Sequence, residues 1–85
     1  RPDISQIYTL MADAAGKAGR RAETLRWRAE ALYQDGDLEP AIRQLELALR
    51  QPKLDFHLAS KIQVRLEELQ AEERSREKRE KKERS

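Results

Sequence analysis

The chain has 85 residues, which is enough for one small domain. Its 18 basic and 16 acidic side chains give a net charge of +2, and it contains one histidine and no cysteine. The lack of cysteine excludes a disulfide framework and a thiolate zinc site. No apolar run approaches the roughly 20 residues of a membrane-spanning helix, so we expect no membrane insertion.

The charge is unevenly placed along the chain. Residues 71–85 hold seven basic and five acidic residues, whereas residues 1–70 hold eleven of each sign. Because nucleic-acid binding favours a basic patch on the folded surface, this neutral region argues against it. The mixed signs of residues 71–85 are typical of a solvated segment. We therefore predict a folded helical domain over residues 1–70 and a charged tail, frayed helix or disordered, over residues 71–85.

The first predicted helix covers about residues 4–18. Asp3 precedes it and Gln6 follows three residues later, which is the spacing of a capping box. Gly19 is the expected end of the helix. The apolar residues form one stripe at helical spacing: Ile4, Ile7, Tyr8, Met11, Ala14, Ala15 and Ala18.

The second predicted helix covers about residues 21–34. Trp27 lies off its apolar stripe, so it either packs on the first helix or is exposed for a partner. Gly19 and Gly36 are separated by seventeen residues, a spacing that lets this helix pair with both neighbours, as in stacked helical arrays. The stripe consists of Ala22, Leu25, Ala29, Leu32 and Tyr33.

The segment from Gly36 to Pro52 predicts a turn followed by a third helix, which ends before Pro52. Gly36 can take a positive φ after the second helix, and Asp37 follows as a candidate N-cap. Pro40 falls in the first helical turn, where its missing N–H costs little. The apolar stripe is Leu38, Ala41, Ile42, Leu45, Ala48 and Leu49.

A fourth helix is predicted to start after Asp55, a second candidate N-cap. Its apolar residues end at Leu69, before the charged tail. The pattern as a whole predicts an all-α fold of about four antiparallel helices. The stripe of the fourth helix is Leu58, Ala59, Ile62, Leu66 and Leu69.

The third helix and its preceding turn resemble the second half of a tetratricopeptide repeat. Gly36-Asp37 match the corner of that repeat, Ala41 and Ala48 match its two small positions, and Leu45 matches the large position between them. The resemblance implies a tetratricopeptide-like stack whose concave groove binds a protein or peptide. By position, the groove residues of the second helix are Arg26, Trp27, Glu30 and Tyr33. Core packing is the alternative role for Trp27 and Tyr33.

A longer run, from Ala29 to Phe56 with the helix ending R-L-E-E-L-Q, is similar to the C-terminal region of bacterial periplasmic zinc metalloproteases of the β-barrel assembly-enhancing protease family. The similarity covers roughly residues 3–70. It implies a non-catalytic region of a periplasmic enzyme that acts in outer-membrane protein assembly or quality control. The start at Arg1 instead of methionine leads us to expect a fragment of a longer chain.

The residues show no arrangement typical of an active site. His57 is the single histidine, and there is no H-E-x-x-H motif or Gly-rich phosphate loop. We therefore predict a chain that is not an enzyme and has no metal or cofactor. It is expected to be a monomeric protein–protein interaction module that also contacts its parent protease domain. The alternatives are a structural bundle that packs on its parent chain, or a nucleic-acid or membrane-surface binder that works through the tail.

Overall fold

The structure is a computed structural model that describes residues 3–84, and four α-helices make up most of it. No strand occurs among these residues. The predicted all-α class and the four predicted helices are therefore confirmed. The helices are α1 (Ile4–Lys17), α2 (Arg21–Gln34), α3 (Leu38–Leu49) and α4 (Phe56–Glu83).

Each helix packs on its neighbours in the sequence. The loops between them, residues 18–20, 35–37 and 50–55, are short. Because a short loop reverses the chain direction, successive helices are antiparallel. As a result α2 and α4 run parallel to each other, and both pack on α3.

Two of the three predicted N-caps are present as expected. Asp3 accepts a hydrogen bond from the backbone of Gln6 at 2.8 Å, and the Gln6 side chain accepts one from Asp3 N–H at 3.1 Å. Asp55 accepts from Leu58 N–H at 3.1 Å. Asp37 occupies the N-cap position of α3, but its side chain forms no capping bond. Its N–H donates to Leu32 C=O at 2.9 Å, which holds its backbone at φ −94° and ψ 73°, away from the extended conformation of Asp3 and Asp55.

The corners between helices follow a period of seventeen residues. Gly19 and Gly36 have φ of +72° and +87°, as their position after a helix predicted. At each corner the next residue donates to a carbonyl five residues back at 2.9 Å, as in a Schellman motif. Lys53, seventeen residues after Gly36, has φ 57° and is the only non-glycine residue of the described chain with a positive φ.

The core lies where α3 meets α2 and α4. Ala41, Leu45 and Ala48 on α3 have no exposed surface. The two alanines let neighbouring helices approach closely, and the leucine fills the space between them. Burial of each large apolar side chain stabilises the fold by about 1.5–3 kcal/mol. The core cluster comprises Leu25, Ala29, Leu38, Ala41, Ile42, Leu45, Ala48, Ile62, Leu66 and Leu69.

The stripe predicted on α1 lies only partly inside the fold. Ala15 is buried and Tyr8 is half-buried on the side that faces α2, whereas Ile4, Ile7 and Met11 are 56%, 45% and 38% exposed. The reason is positional, since α2 is the one helix that packs extensively on α1.

Residues 71–83 are helical and continue α4 without a break. Glu72 accepts a hydrogen bond from the Tyr33 hydroxyl at 3.0 Å, so the start of the tail contacts α2. Further along, Glu73 and Glu77 lie beside the start of α3. Acidic side chains are favourable there because the first N–H groups of a helix carry partial positive charge. The domain boundary at residue 70 stays a prediction.

Gly36→Ala and Gly16→Ala make the same change in two backbone conformations. At Gly36 the Cβ meets open space, so the cost comes from the left-handed backbone and is about 1–2 kcal/mol. At Gly16, inside α1, the Cβ lies 3.7 Å from Thr24 Oγ1, and alanine favours the helix by roughly 0.5–1 kcal/mol. We expect urea unfolding to show that Gly36→Ala is destabilised and Gly16→Ala is not. Equal midpoints for the two variants would show that Gly36 does not set the corner.

Lys53→Gly tests whether the left-handed backbone of Lys53 strains the third corner. Glycine removes a left-handed cost of about 1–2 kcal/mol but makes the unfolded chain more flexible, so the net gain is up to about 1 kcal/mol. The control is Arg50→Gly, an exposed basic residue in the same loop with φ −88°, where glycine brings only the entropy loss. In chemical denaturation, Lys53→Gly is expected to unfold at a higher denaturant midpoint than Arg50→Gly. The reverse order would contradict a strained corner at Lys53.

Candidate functional site

An open groove of about 400 Å³ runs between the parallel helices α2 and α4. Its apolar surface includes Val64, which is 57% exposed. Both helices contribute charged side chains to its walls. The lining residues are Arg26, Glu30, Ser60, Lys61, Val64, Arg65 and Glu68.

The helical period places these charges on facing rows. Arg26 and Glu30 are four residues apart on α2, and so are Lys61 and Arg65 on α4, so each pair lies on one face of its helix. Because α2 and α4 are parallel, the two rows run in the same direction. Glu30 therefore meets Arg65 directly across the groove. Arg26 lies one turn before Glu30 on α2, Lys61 lies one turn before Arg65 on α4, and both line the groove.

Glu30 and Arg65 form a two-pronged ion pair across the groove. Arg65 Nε and Nη2 donate to the two Glu30 carboxylate oxygens at 2.7 and 3.1 Å. The Glu30 side chain is only 12% exposed, and Arg65 Nη1 also donates to Glu68 at 3.3 Å. The hydrogen bonds that Arg65 donates to Glu30 raise the pKa of Arg65 above its ordinary value, so Arg65 stays protonated. Glu30 and Glu68 thus share the single positive charge of Arg65.

Tyr33, three residues after Glu30 on α2, also joins α2 to α4. The Arg65 guanidinium lies 4.8 Å from the centre of the Tyr33 ring. The Tyr33 hydroxyl donates to Glu72 Oε1 at 3.0 Å. That hydrogen bond to a carboxylate, together with burial, raises the pKa of Tyr33. The second Glu72 oxygen is buried without a hydrogen-bond partner and has Arg76 Nη2 at 3.6 Å.

Trp27 points away from the groove and packs on α1. Its ring stacks on Tyr8 with a centroid distance of 5.8 Å and an interplanar angle of 16°. The Arg26 guanidinium lies 4.4 Å from the centre of the Trp27 ring. Of the two interpretations of Trp27 drawn from the sequence, packing on the first helix is the one observed, and the residue is partly buried.

The four residues predicted from the sequence thus have different surroundings. Arg26 and Glu30 line the groove, Tyr33 does not line it but contacts Arg65 of the α4 wall, and Trp27 lies on the α1 side. Their role in partner binding stays a prediction. The α4 wall was missed, since its facing row is defined only when α2 and α4 are known to be parallel neighbours. It consists of Ser60, Lys61, Val64, Arg65 and Glu68.

The free charges of the groove are Arg26 and Lys61. Neither forms an ion pair with an acidic side chain in residues 3–84. Both line the same groove as the exposed Val64. The arrangement presents two cations and an apolar contact, which is a suitable surface for an anionic group next to an apolar side chain.

Three further observations bear on what the site can do. Residues 3–84 bring together no group of three or more side chains suited to hold a metal ion. Within the same residues, every helix is either too short or too polar to span a membrane. Comparison of the chain with protein-family models, with curated proteins and with solved structures gives no match.

Tyr33→Phe tests the link between the helices. Loss of the hydrogen bond to Glu72 is expected to cost about 1 kcal/mol near neutral pH. Since the folded state raises the pKa of Tyr33, this stability is present below the ordinary tyrosine pKa near 10 and is lost as the pH rises through the folded value. Denaturant titrations at pH 8 and pH 11 should therefore show the gap between parent chain and variant closing at high pH.

The control for this prediction is Tyr8→Phe. The Tyr8 hydroxyl makes no hydrogen bond to residues 3–84, so at pH 8 its removal is expected to change the stability little. A gap between the parent chain and Tyr33→Phe that is the same at both pH values would contradict the link.

Proposed function

We propose that this chain is a non-catalytic protein-interaction module that binds an extended acidic peptide segment of a partner in the groove between α2 and α4. The observation that carries the proposal is the pair of cations Arg26 and Lys61, which line the groove without an acidic partner in residues 3–84. Val64 lines the same groove and is exposed to a ligand.

The expected sign of the ligand's charge follows from which charged side chains of the groove are already paired within the fold. Glu30 and Glu68 both accept hydrogen bonds from Arg65, so the two carboxylates share one cation within the fold. With Arg26 and Lys61, the groove lining holds three cations and two carboxylates, and its net charge is +1. Arg26 and Lys61 remain as the available charges. An arginine can hold a carboxylate with two parallel hydrogen bonds, and a lysine adds a point charge.

The size of the groove agrees with a short peptide stretch. Its volume of about 400 Å³ lies in the range of ligand pockets that bury a few side chains. Since the groove is open, the ligand is expected to be extended and partly solvated. Affinity then depends on few contacts, and we expect a weak, salt-sensitive complex.

The tetratricopeptide-like pattern supports the same assignment. The resemblance implies a peptide-binding face of α2 made of Arg26, Trp27, Glu30 and Tyr33. Two of these residues, Arg26 and Glu30, line the groove. The proposed membership of a periplasmic zinc metalloprotease rests on the sequence resemblance alone. An H-E-x-x-H motif upstream of Arg1 in the parent chain would support it, and a parent chain without that motif would oppose it.

The proposed groove can be tested with labelled peptides and fluorescence anisotropy. A short peptide that alternates glutamate and leucine is expected to bind, and the matched peptide with glutamine in place of glutamate is expected to bind at least about tenfold more weakly. The double variant Arg26→Gln, Lys61→Gln should lose this preference. Equal binding of the two peptides would overturn an acidic ligand.

The matched control is Arg43→Gln on α3. Arg43 is exposed, as Lys61 is, but it does not line the groove. Its loss lowers the net charge without changing the proposed site, and binding of the acidic peptide is expected to stay within about twofold. An equal loss for Arg43→Gln and Lys61→Gln would show that the peptide follows the net charge and not the groove.

A further inference from the structure

The outer face of α1 is apolar and exposed, which is unusual in a chain so rich in charge. We define the α1 outer face as Ile4, Ile7, Met11 and Ala14. The first three are 56%, 45% and 38% exposed, and Ala14 is exposed too. α1 contains only two charged residues, Asp13 and Lys17. A helix with so few charges is typical of one covered on more than one side.

The seventeen-residue period relates this face to a buried face of α3. The helices α1, α2 and α3 begin at residues 4, 21 and 38. A shift of two periods therefore aligns the sequence of α1 with that of α3. Each residue of the α1 outer face then corresponds to a core residue of α3. The matching residues of α3 are Leu38, Ala41, Leu45 and Ala48, which are 6%, 0%, 0% and 0% exposed.

The other side of α1 follows the same shift. Ser5 and Tyr8 contact α2, through Ala31 C=O and Trp27. Ala15, buried on this side, corresponds to Leu49, which lies beside α4. α1 thus relates to α2 as α3 relates to α4. What differs is that α2 covers the second face of α3, whereas no helix of residues 3–84 covers the α1 outer face.

We propose that the α1 outer face docks an α-helix of a partner protein, and that this helix has an apolar stripe like that of α2 and packs as α2 packs on α3. The interface that it would form continues one already present in the fold. The α2 residues in the core cluster are Leu25 and Ala29, with Ala22, Leu32 and Tyr33 packed against them.

A second copy of the chain offers no such helix. Its α2 is covered by α1 on one side and by α3 on the other. The outer face of its α4 carries the exposed Phe56, but Gln63 and Glu67 stand two periods after Ala29 and Tyr33 of the α2 stripe, so polar side chains interrupt this face. Beyond residue 73, α4 carries only serine besides charged side chains. Self-association through two α1 faces is the remaining possibility for a second copy, and it would agree less well with the monomer expected from the sequence.

The experiment supplies the helix at high local concentration. A copy of residues 21–36 replaces Arg1 and Pro2, so that residue 36 of the copy is followed by Asp3. Asp3 stands where Asp37 follows Gly36 in the natural corner, and residues 3–84 are unchanged. Tethering raises the effective concentration into the millimolar range, so that weak packing is detected.

The extended chain is expected to gain the circular-dichroism signal of about fourteen helical residues, the length of α2, and to unfold in one transition at a higher urea midpoint. An added segment that stays non-helical, or that melts separately from the rest, would overturn the proposal.

Two substitutions separate docking from a general effect of the extension. Met11→Lys is expected to abolish the gain in midpoint, since Met11 corresponds to the fully buried Leu45. Leu10→Lys is the matched control, because Leu10 is 65% exposed and corresponds to Gln44, so the gain should persist. Equal losses for the two variants would contradict docking through the α1 outer face.

Sedimentation of the original chain, without the extension, tests the second copy. A monomer over the accessible concentration range supports a partner helix as the occupant. A dimer that Met11→Lys dissociates would assign the face to self-association and overturn the proposed partner.

Discussion

The fold depends on corners that turn the chain through a single left-handed residue. At Gly19 and Gly36 the positive φ lets two N–H groups return to the carbonyls of the helix that has just ended. The helix end is therefore satisfied by its own corner, and the next helix starts within three residues. Equal spacing of these corners gives α1, α2 and α3 similar lengths, and each helix is antiparallel to the one before. Lys53 takes the same conformation at a third corner, without the freedom of glycine.

The groove follows from that alternation. Because every second helix points the same way, α2 and α4 present facing rows whose charges meet in register. Glu30 and Arg65 form a strong pair there because both are largely withdrawn from water and the arginine donates two parallel hydrogen bonds. With Tyr33 and Glu72 they fasten α4 to α2, although α4 packs mainly on α3 and α2 packs on both α1 and α3. The free cations Arg26 and Lys61 lie outside this compensated cluster.

The sequence was sufficient for features that depend on neighbouring residues. The capping box at Asp3, the N-cap at Asp55 and the left-handed Gly36 are each defined by a few adjacent positions. Asp37 shows the limit of such reasoning, because its capping bond depends on a backbone already fixed by the corner before it. The stripe of α1 shows another limit. Periodicity identifies an apolar face but does not say how many neighbours are present to cover it.

The site was predicted in part for the same reason. Arg26 and Glu30 could be assigned to one face of α2 from their spacing, but Lys61 and Arg65 are distant in the sequence. Their position opposite α2 depends on the three-dimensional stack. Trp27 was ambiguous because α2 is covered on two sides, and a single hydrophobic stripe does not describe such a helix. Its contact with Tyr8 resolves the ambiguity.

That contact also connects α1 to the groove. Tyr8 on α1 stacks on Trp27, and the guanidinium of Arg26 lies over the Trp27 ring. Stacked rings contribute about 0.5–1.5 kcal/mol and a cation over an indole at an exposed site about 0.5–1 kcal/mol. These contacts restrict the rotamers of Arg26, which lines the groove. α1 therefore supports the groove without lining it. Tyr8 packs on Trp27, and Trp27 in turn helps to orient Arg26, one of the two groove cations without an acidic partner.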